Sequence, residues 1–327
     1  MIFSIALYVV ESLIRPKKYG SFSDIYSFSP FEFELPAENV TFAPLYGDYA
    51  VSGWYIPRPQ ATTTIVMCPG YRTRMADVLG MTVPLWKAGH NVLVFEYYGH
   101  GQEVGRSITL GYREINDFLG ALVYAKERAP GTRLGVLAYS MGASVAIMCS
   151  ARSNDVEALV ADSAFASHWS VVDYNVHRVL RIPPALFMWV ADYLMWWRAG
   201  YRFRQVEPVR DIERLAPRPV LIIHGGKDTM VDPRDATKLY NAANEPKELW
   251  IVPEANHCGA YFINRRMYVD KILAFFEQHL KMARPHLQLL EPLPTTDIAK
   301  EILGLSEKQS DDSDPDPDGP LGLPEAS

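Results

Sequence analysis

Short apolar runs recur along the chain at 64–68, 92–96, 133–138, 158–161, 220–223 and 249–252, each bounded by glycine, proline or polar residues. Runs of this length read as strands buried on both faces of a sheet. Between them, 76–88, 112–128, 142–151, 233–243 and 261–280 place apolar residues at helical spacing. Strand–helix alternation of this kind predicts a mostly parallel central sheet with helices on both faces, an α/β fold. Residues 40–56 read as two short strands around Tyr46-Gly47-Asp48, a β-hairpin. The rhythm stops between 163 and 217. That insertion has no strand pattern, holds four of the seven tryptophans, and reads as helical with a break at Ile182-Pro183-Pro184. Residues 185–197 are apolar on nearly every face, so they must be buried, cover a ligand site, or touch lipid. The expected organisation is an N-terminal apolar helix and linker (1–39), a core (40–162 and 218–283), an aromatic cap (163–217) and a C-terminal tail (284–327).

Composition changes this picture little. A chain of 327 residues that is 48% hydrophobic can bury a large core. The net charge of −6 equals the surplus of eight acids over two bases in residues 300–327, so the body is near neutral. A neutral body gives no electrostatic basis for nucleic-acid binding. Residues 310–327 are rich in Asp, Pro and Gly, and disorder is expected from about 309. Cys68, Cys149 and Cys258 form neither a disulfide framework nor a metal-ligand spacing, which points to a reducing, cytoplasmic compartment. With no CxxC, HExxH or glycine-rich phosphate loop, neither a metal nor a nucleotide cofactor is expected. Residues 1–10 are apolar and are followed by Glu11, Arg15, Lys17 and Lys18. The stretch is short for a bilayer span and makes a poor signal peptide. Two readings of residues 1–18 stay open: a helix docked on the domain, and an interfacial helix in peripheral contact with a membrane.

The candidate chemistry begins at Leu137-Ala138-Tyr139-Ser140-Met141-Gly142, where a strand runs straight into a small-residue helix. A sharp strand-to-helix turn lifts a serine oxygen above a sheet, and small flanking residues let the turn pack closely. Ala138 stands where the usual pattern has glycine. A serine hydroxyl needs a base to take its proton, and that base needs a carboxylate to hold its tautomer. Two later loops supply them. The run at 220–223 leads into His224-Gly225-Gly226-Lys227-Asp228, and the run at 249–252 into Glu254-Ala255-Asn256-His257-Cys258. Both candidates sit just past a strand's C-terminal end, where open α/β sheets place ligands. Asp162 and Asp232 remain rivals for the acid, Asp232 also fitting the N-cap of a helix opened by Pro233. His224 reads only as the start of a tight turn.

With serine, acid and histidine in this order, the chain resembles the α/β-hydrolase superfamily over roughly 40–280. The loop Glu96-Tyr97-Tyr98-Gly99-His100-Gly101 resembles the Asp-x-Arg-Gly-His-Gly marker of many members. The resemblance implies Ser140 as nucleophile, Asp228 as acid and His257 as base. It also implies an oxyanion hole from the N–H groups of Met141 and Tyr71, although Cys68-Pro69-Gly70-Tyr71 departs from the usual His-Gly pattern. A cap dense in Trp169, Trp189, Trp196 and Trp197 is expected to cover an apolar acyl or alkyl group. Arg72 is expected either to meet a substrate carboxylate or to pair with local acids. The expected activity is hydrolysis of carboxylic esters of short to medium acyl chain. An aminopeptidase or amidase, and a non-catalytic binding protein of the same fold, are the alternatives.

Overall fold

A computed structural model of the protein describes residues 2–15, 28–100, 107–180 and 184–281, with side chains left aside at 179, 180 and 184–186. The tail from 284, Lys17, Lys18 and the Ile182-Pro183 break therefore lie outside the described residues.

Eight strands form one sheet: β1 (Glu38–Phe42), β2 (Val51–Ile56), β3 (Thr63–Cys68), β4 (Asn91–Phe95), β5 (Arg133–Tyr139), β6 (Val156–Asp162), β7 (Val220–Gly225) and β8 (Lys247–Val252). Their spatial order is β1-β2-β4-β3-β5-β6-β7-β8. The hairpin pair β1–β2 and the β2–β4 contact are antiparallel, and the remaining pairs are parallel. The helices are α1 (Ile2–Ile14), α2 (Leu79–Lys87), α3 (Glu114–Arg128), α4 (Met141–Ser150), α5 (His168–Leu180), α6 (Pro184–Ala199), α7 (Pro208–Asp211), α8 (Pro233–Ala242), α9 (Ala260–Ile263) and α10 (Arg265–Phe276).

Side chains alternate across a strand, so a sheet covered on both faces splits its apolar residues between two cores. Val66 and Cys68 of β3 join Val136, Ala138 and the helical residues Phe118 and Ile147 on one face. Ile65 and Met67 join Leu137, Ile223 and the α10 residues Ile272 and Phe276 on the other. The helix pattern at 261–280 is divided: α9 ends at Ile263, and the Asn264 side chain caps α10 by accepting from the Met267 N–H.

The insertion between β6 and β7 is helical, with no strand among its described residues. α6 is not buried all round. Phe187, Met188, Ala191, Leu194 and Met195 point inward, while Trp189, Tyr193 and Trp197 face solvent. α1 packs beside α6 and buries Ala6, Val10 and Ile14. None of the helices among the described residues is long and apolar enough to cross a membrane.

His168, at the start of α5, is fully buried between Phe203 and Tyr201, with neither ring nitrogen hydrogen-bonded. Burial alone pushes its pKa down to about 3. The folded protein keeps this ring neutral while the unfolded chain protonates it near 6.5, so its contribution is complete above that pH. The contribution is lost as pH falls toward 3, by at most about 1.4 kcal/mol per unit. His168→Phe is therefore expected to narrow the drop in Tm between neutral pH and pH about 4.5. An unchanged drop in thermal melts at the two pH values would show that His168 does not drive acid sensitivity.

Candidate active site

Ser140 sits at the turn from β5 into α4 with φ 52° and ψ −119°, a conformation rare for a residue with a side chain. Its surroundings hold it there. The Ser140 N–H donates to the Asp162 carbonyl at 2.8 Å, and the Ser144 N–H donates to the Ser140 carbonyl at 3.1 Å. A Cβ on Gly142 would run into the Pro69 and Cys68 carbonyls, so α4 can approach the β3 loop only because that residue is glycine. Ala138 needs no such concession: across the ladder it faces Cys68 and Ala161, both small.

Ser140 Oγ lies 2.8 Å from His257 Nε2, and His257 Nδ1 lies 2.7 Å from Asp228 Oδ2. A carboxylate only accepts hydrogen bonds, so Nδ1 carries the proton and Nε2 presents a lone pair to the serine hydroxyl. Asp228 is buried, and its Oδ1 accepts the N–H groups of Met230 (2.8 Å) and Val231 (2.9 Å). Burial alone would raise its pKa. Hydrogen bonds from His224, His257 and the Val231 N–H outweigh that and hold the carboxyl well below its usual range. It stays ionised.

His224 is more than the start of a turn. Its Nε2 approaches Asp228 Oδ2 at 3.2 Å, so two imidazoles share one carboxylate oxygen. The cap also reaches this loop: the Tyr174 hydroxyl donates to the Asp228 carbonyl at 3.1 Å, and Asn175 Nδ2 to the Met230 carbonyl at 2.7 Å.

Neither rival acid reaches His257 through a hydrogen bond. Asp232 caps α8, accepting from the Arg234 N–H at 3.0 Å, and pairs with the Arg234 guanidinium. Asp162 is buried beneath the site, and burial raises its pKa. It accepts from the Tyr268 hydroxyl at 2.7 Å and from Ser163 Oγ at 2.9 Å. Ser163 Oγ in turn accepts the Cys258 N–H at 3.0 Å. Through its own carbonyl and this chain, Asp162 ties the Ser140 turn to the His257 loop. The pattern that could have revealed His224 is its offset of four residues from Asp228 within one turn. Nothing in sequence order links Asp162 to Cys258.

Met141 opens α4, where its N–H has no acceptor within the helix, and the helix N-terminus favours developing negative charge. Gly70 packs against the serine: a Cβ there would lie 3.1 Å from Ser140 Cβ and 3.8 Å from its Oγ. The Gly70–Tyr71 peptide therefore borders the nucleophile candidate.

The expected substrate-binding residues are not gathered here. Arg72 Nη2 donates to the Ser12 (2.6 Å) and Arg15 (2.7 Å) carbonyls, and the Tyr71 hydroxyl to the Leu13 carbonyl (2.6 Å). The last carbonyls of a helix lack internal partners and attract cations, so Arg72 caps α1. Trp189 and Trp197 are 67% and 53% exposed, because the buried stripe of α6 is filled by smaller apolar residues. They do not line a buried pocket. Trp196 is half-buried with the Arg202 guanidinium 5.1 Å from its ring centre, and Trp169 is half-buried against Phe203 and Trp189.

Sheet order, the strand-end loops and the serine–histidine–aspartate chain define a serine hydrolase of the α/β-hydrolase fold. The chain belongs to the prolyl oligopeptidase family, whose sequence model matches residues 85–283. Among its relatives, YqkD of Bacillus subtilis is 26% identical over 248 residues, covering 75% of this chain and 81% of its own. YfhR of Salmonella typhi is 26% identical over 297 residues, covering 84% and 92%. Among solved structures, the Pyrococcus furiosus esterase Pf2001 superposes with a TM-score of 0.67 and 22% identity, over 82% of this chain and 98% of its own. The Pyrococcus horikoshii acylaminoacyl peptidase superposes at 0.60 with 16% identity, over 81% of this chain and 45% of its own.

Proposed function

We propose that the protein is a carboxylesterase acting on esters of short to medium acyl chain through an acyl-enzyme. The observation that carries this reading is the approach of His257 Nε2 to Ser140 Oγ at 2.8 Å, with Nδ1 fixed on buried, ionised Asp228. Ser140 attacks the ester carbonyl as His257 takes its proton. The N–H groups of Met141 and Tyr71 receive the developing oxyanion, each worth about 3 kcal/mol in such sites. His257 then protonates the leaving alcohol and activates the water that releases the acid.

A peptidase reading is favoured by the family's name and by the acylaminoacyl peptidase among the structural neighbours. A free amino terminus needs an acid to receive it, and three of the cap's five acids, Asp192, Glu207 and Asp211, are already ion-paired, which leaves Asp173 and Glu213. Asp192 accepts from Arg202 at 2.9 Å and from the Phe203 N–H at 2.7 Å, while Glu207 pairs with Arg210 at 2.6 Å. The ester reading stands on that. A panel of p-nitrophenyl esters from acetate to octanoate, run beside aminoacyl p-nitroanilides, separates the two. Ester kcat/KM is expected to exceed anilide kcat/KM by about 100-fold or more. The reverse order assigns the protein to the peptidases, and failure to label with a fluorophosphonate removes both readings.

A further inference from the structure

α1 and α6, 170 residues apart, lie side by side, and the Glu11 carboxylate joins them by accepting from Arg198 Nε at 2.6 Å. Both helices expose aromatic rings. Phe3 and Tyr8 on α1, and Trp189, Tyr193 and Trp197 on α6, are each more than half exposed. The three on α6 are spaced by four residues and so form one stripe along the helix. Tyr8 stands one turn before Glu11 on α1, and Trp197 precedes Arg198 on α6.

Charge singles out the same two segments. Residues 1–18 hold three bases against one acid, and the cap, 163–217, seven against five. Residues 19–162 carry ten bases against fourteen acids, 218–299 are balanced, and 300–327 are acidic. The two segments with surplus positive charge are thus the two that supply α1 and α6 with their exposed rings, while Phe28, Phe31, Phe33 and Phe262 are exposed elsewhere. Among the described residues, Arg15 and Arg198 share the carboxylate of Glu11, two positive charges against one. Arg202, whose guanidinium is paired with Asp192, lies beside the stripe, 5.8 Å from the Tyr193 ring centre.

We propose that α1 and α6 together form a docking face for a lipid bilayer bearing anionic headgroups. Tyrosine and tryptophan settle at the membrane–water boundary because each ring has an apolar body and a polar edge. Amphipathic helices lie in that plane, and arginine and lysine near it are drawn to the negative surface. A second copy of the chain is the poorer occupant, since two faces of like charge would meet. The face is wider than residues 1–18 alone, because the cap supplies three of its five rings. The proposal is independent of the reaction assigned to Ser140.

The test is co-sedimentation of the full-length protein with vesicles of phosphatidylcholine alone or mixed with phosphatidylglycerol. Wild type is expected to sediment with the mixed vesicles and to bind pure phosphatidylcholine roughly tenfold more weakly. The triple variant Phe3→Ser/Tyr8→Ser/Tyr193→Ser is expected to lose about tenfold in binding to the mixed vesicles. Its Tm and its turnover of a water-soluble p-nitrophenyl ester should stay at wild-type values. Equal binding to both vesicle types, absence of wild-type binding, or full binding by the variant would each overturn the proposal. So would a wild-type dimer in sedimentation velocity that the same three substitutions dissolve, which would make the face a self-association surface.

Discussion

Ser140→Ala is expected to lower kcat for p-nitrophenyl esters by about a million-fold, abolish fluorophosphonate labelling and leave Tm unchanged. The size follows from the chemistry: with no hydroxyl there is no acyl-enzyme, and the residual rate rests on the oxyanion donors and substrate binding. The unchanged Tm follows from the local structure. The turn is held by the backbone bonds of Ser140 to Asp162 and Ser144, and the side chain meets His257. Alanine keeps the former and loses only the latter. Stopped assays and labelling gels on purified variant and wild type check this. A variant that still turns over ester and still labels would move the nucleophile away from Ser140.

Asp228→Asn carries the next largest effect, a fall in kcat of about ten-thousand-fold with a much smaller change in KM. The geometry gives the reason. Oδ1 takes two backbone N–H groups at 2.8 and 2.9 Å, so an asparagine must place its carbonyl there. Its NH2 group then replaces Oδ2, facing both His257 Nδ1 and His224 Nε2. An amide N–H cannot accept, so His257 flips to the tautomer with Nδ1 bare and Nε2 protonated. That tautomer cannot take the serine proton. Because Tyr174 binds the Asp228 backbone carbonyl and not the side chain, the contact between the cap and this loop survives the substitution. A fall of less than about tenfold would show that another acid, with Asp162 the nearest in the network, orients the histidine.

What the sequence makes legible follows from periodicity and order. The interior strands are two-sided apolar runs, and each is found within two residues of its predicted limits. Ser140, Asp228 and His257 are readable because each follows a strand whose end is marked by small or turn-forming residues. The orientation of the α6 tryptophans is not readable in the same way. A helix that is apolar all round gives no clue to which stripe meets the core, and Phe187 and Leu194 rather than Trp189 and Trp197 proved to do so. Arg72 was misplaced for a related reason. Its partners are backbone carbonyls of α1, and a carbonyl leaves no mark in the sequence. The Asp162–Ser163–Cys258 chain depends on loops from β6 and β8 meeting in space, which order along the chain does not fix.

The clamp between the β3 loop and α1 has a consequence for linkage between distant parts of the molecule. Tyr71 and Arg72 hold the last carbonyls of α1 with their side chains, while the peptide joining Tyr71 to Gly70 borders Ser140. The first helix is thus seated by the residues that follow the peptide bordering the serine. By reciprocity, a partner on α1 that distinguishes two seatings of the helix would change the affinity for a tetrahedral adduct at Ser140, and forming that adduct would change the hold on α1 by the same factor. A phosphonate adduct at the serine would then be felt at the amino terminus of the chain.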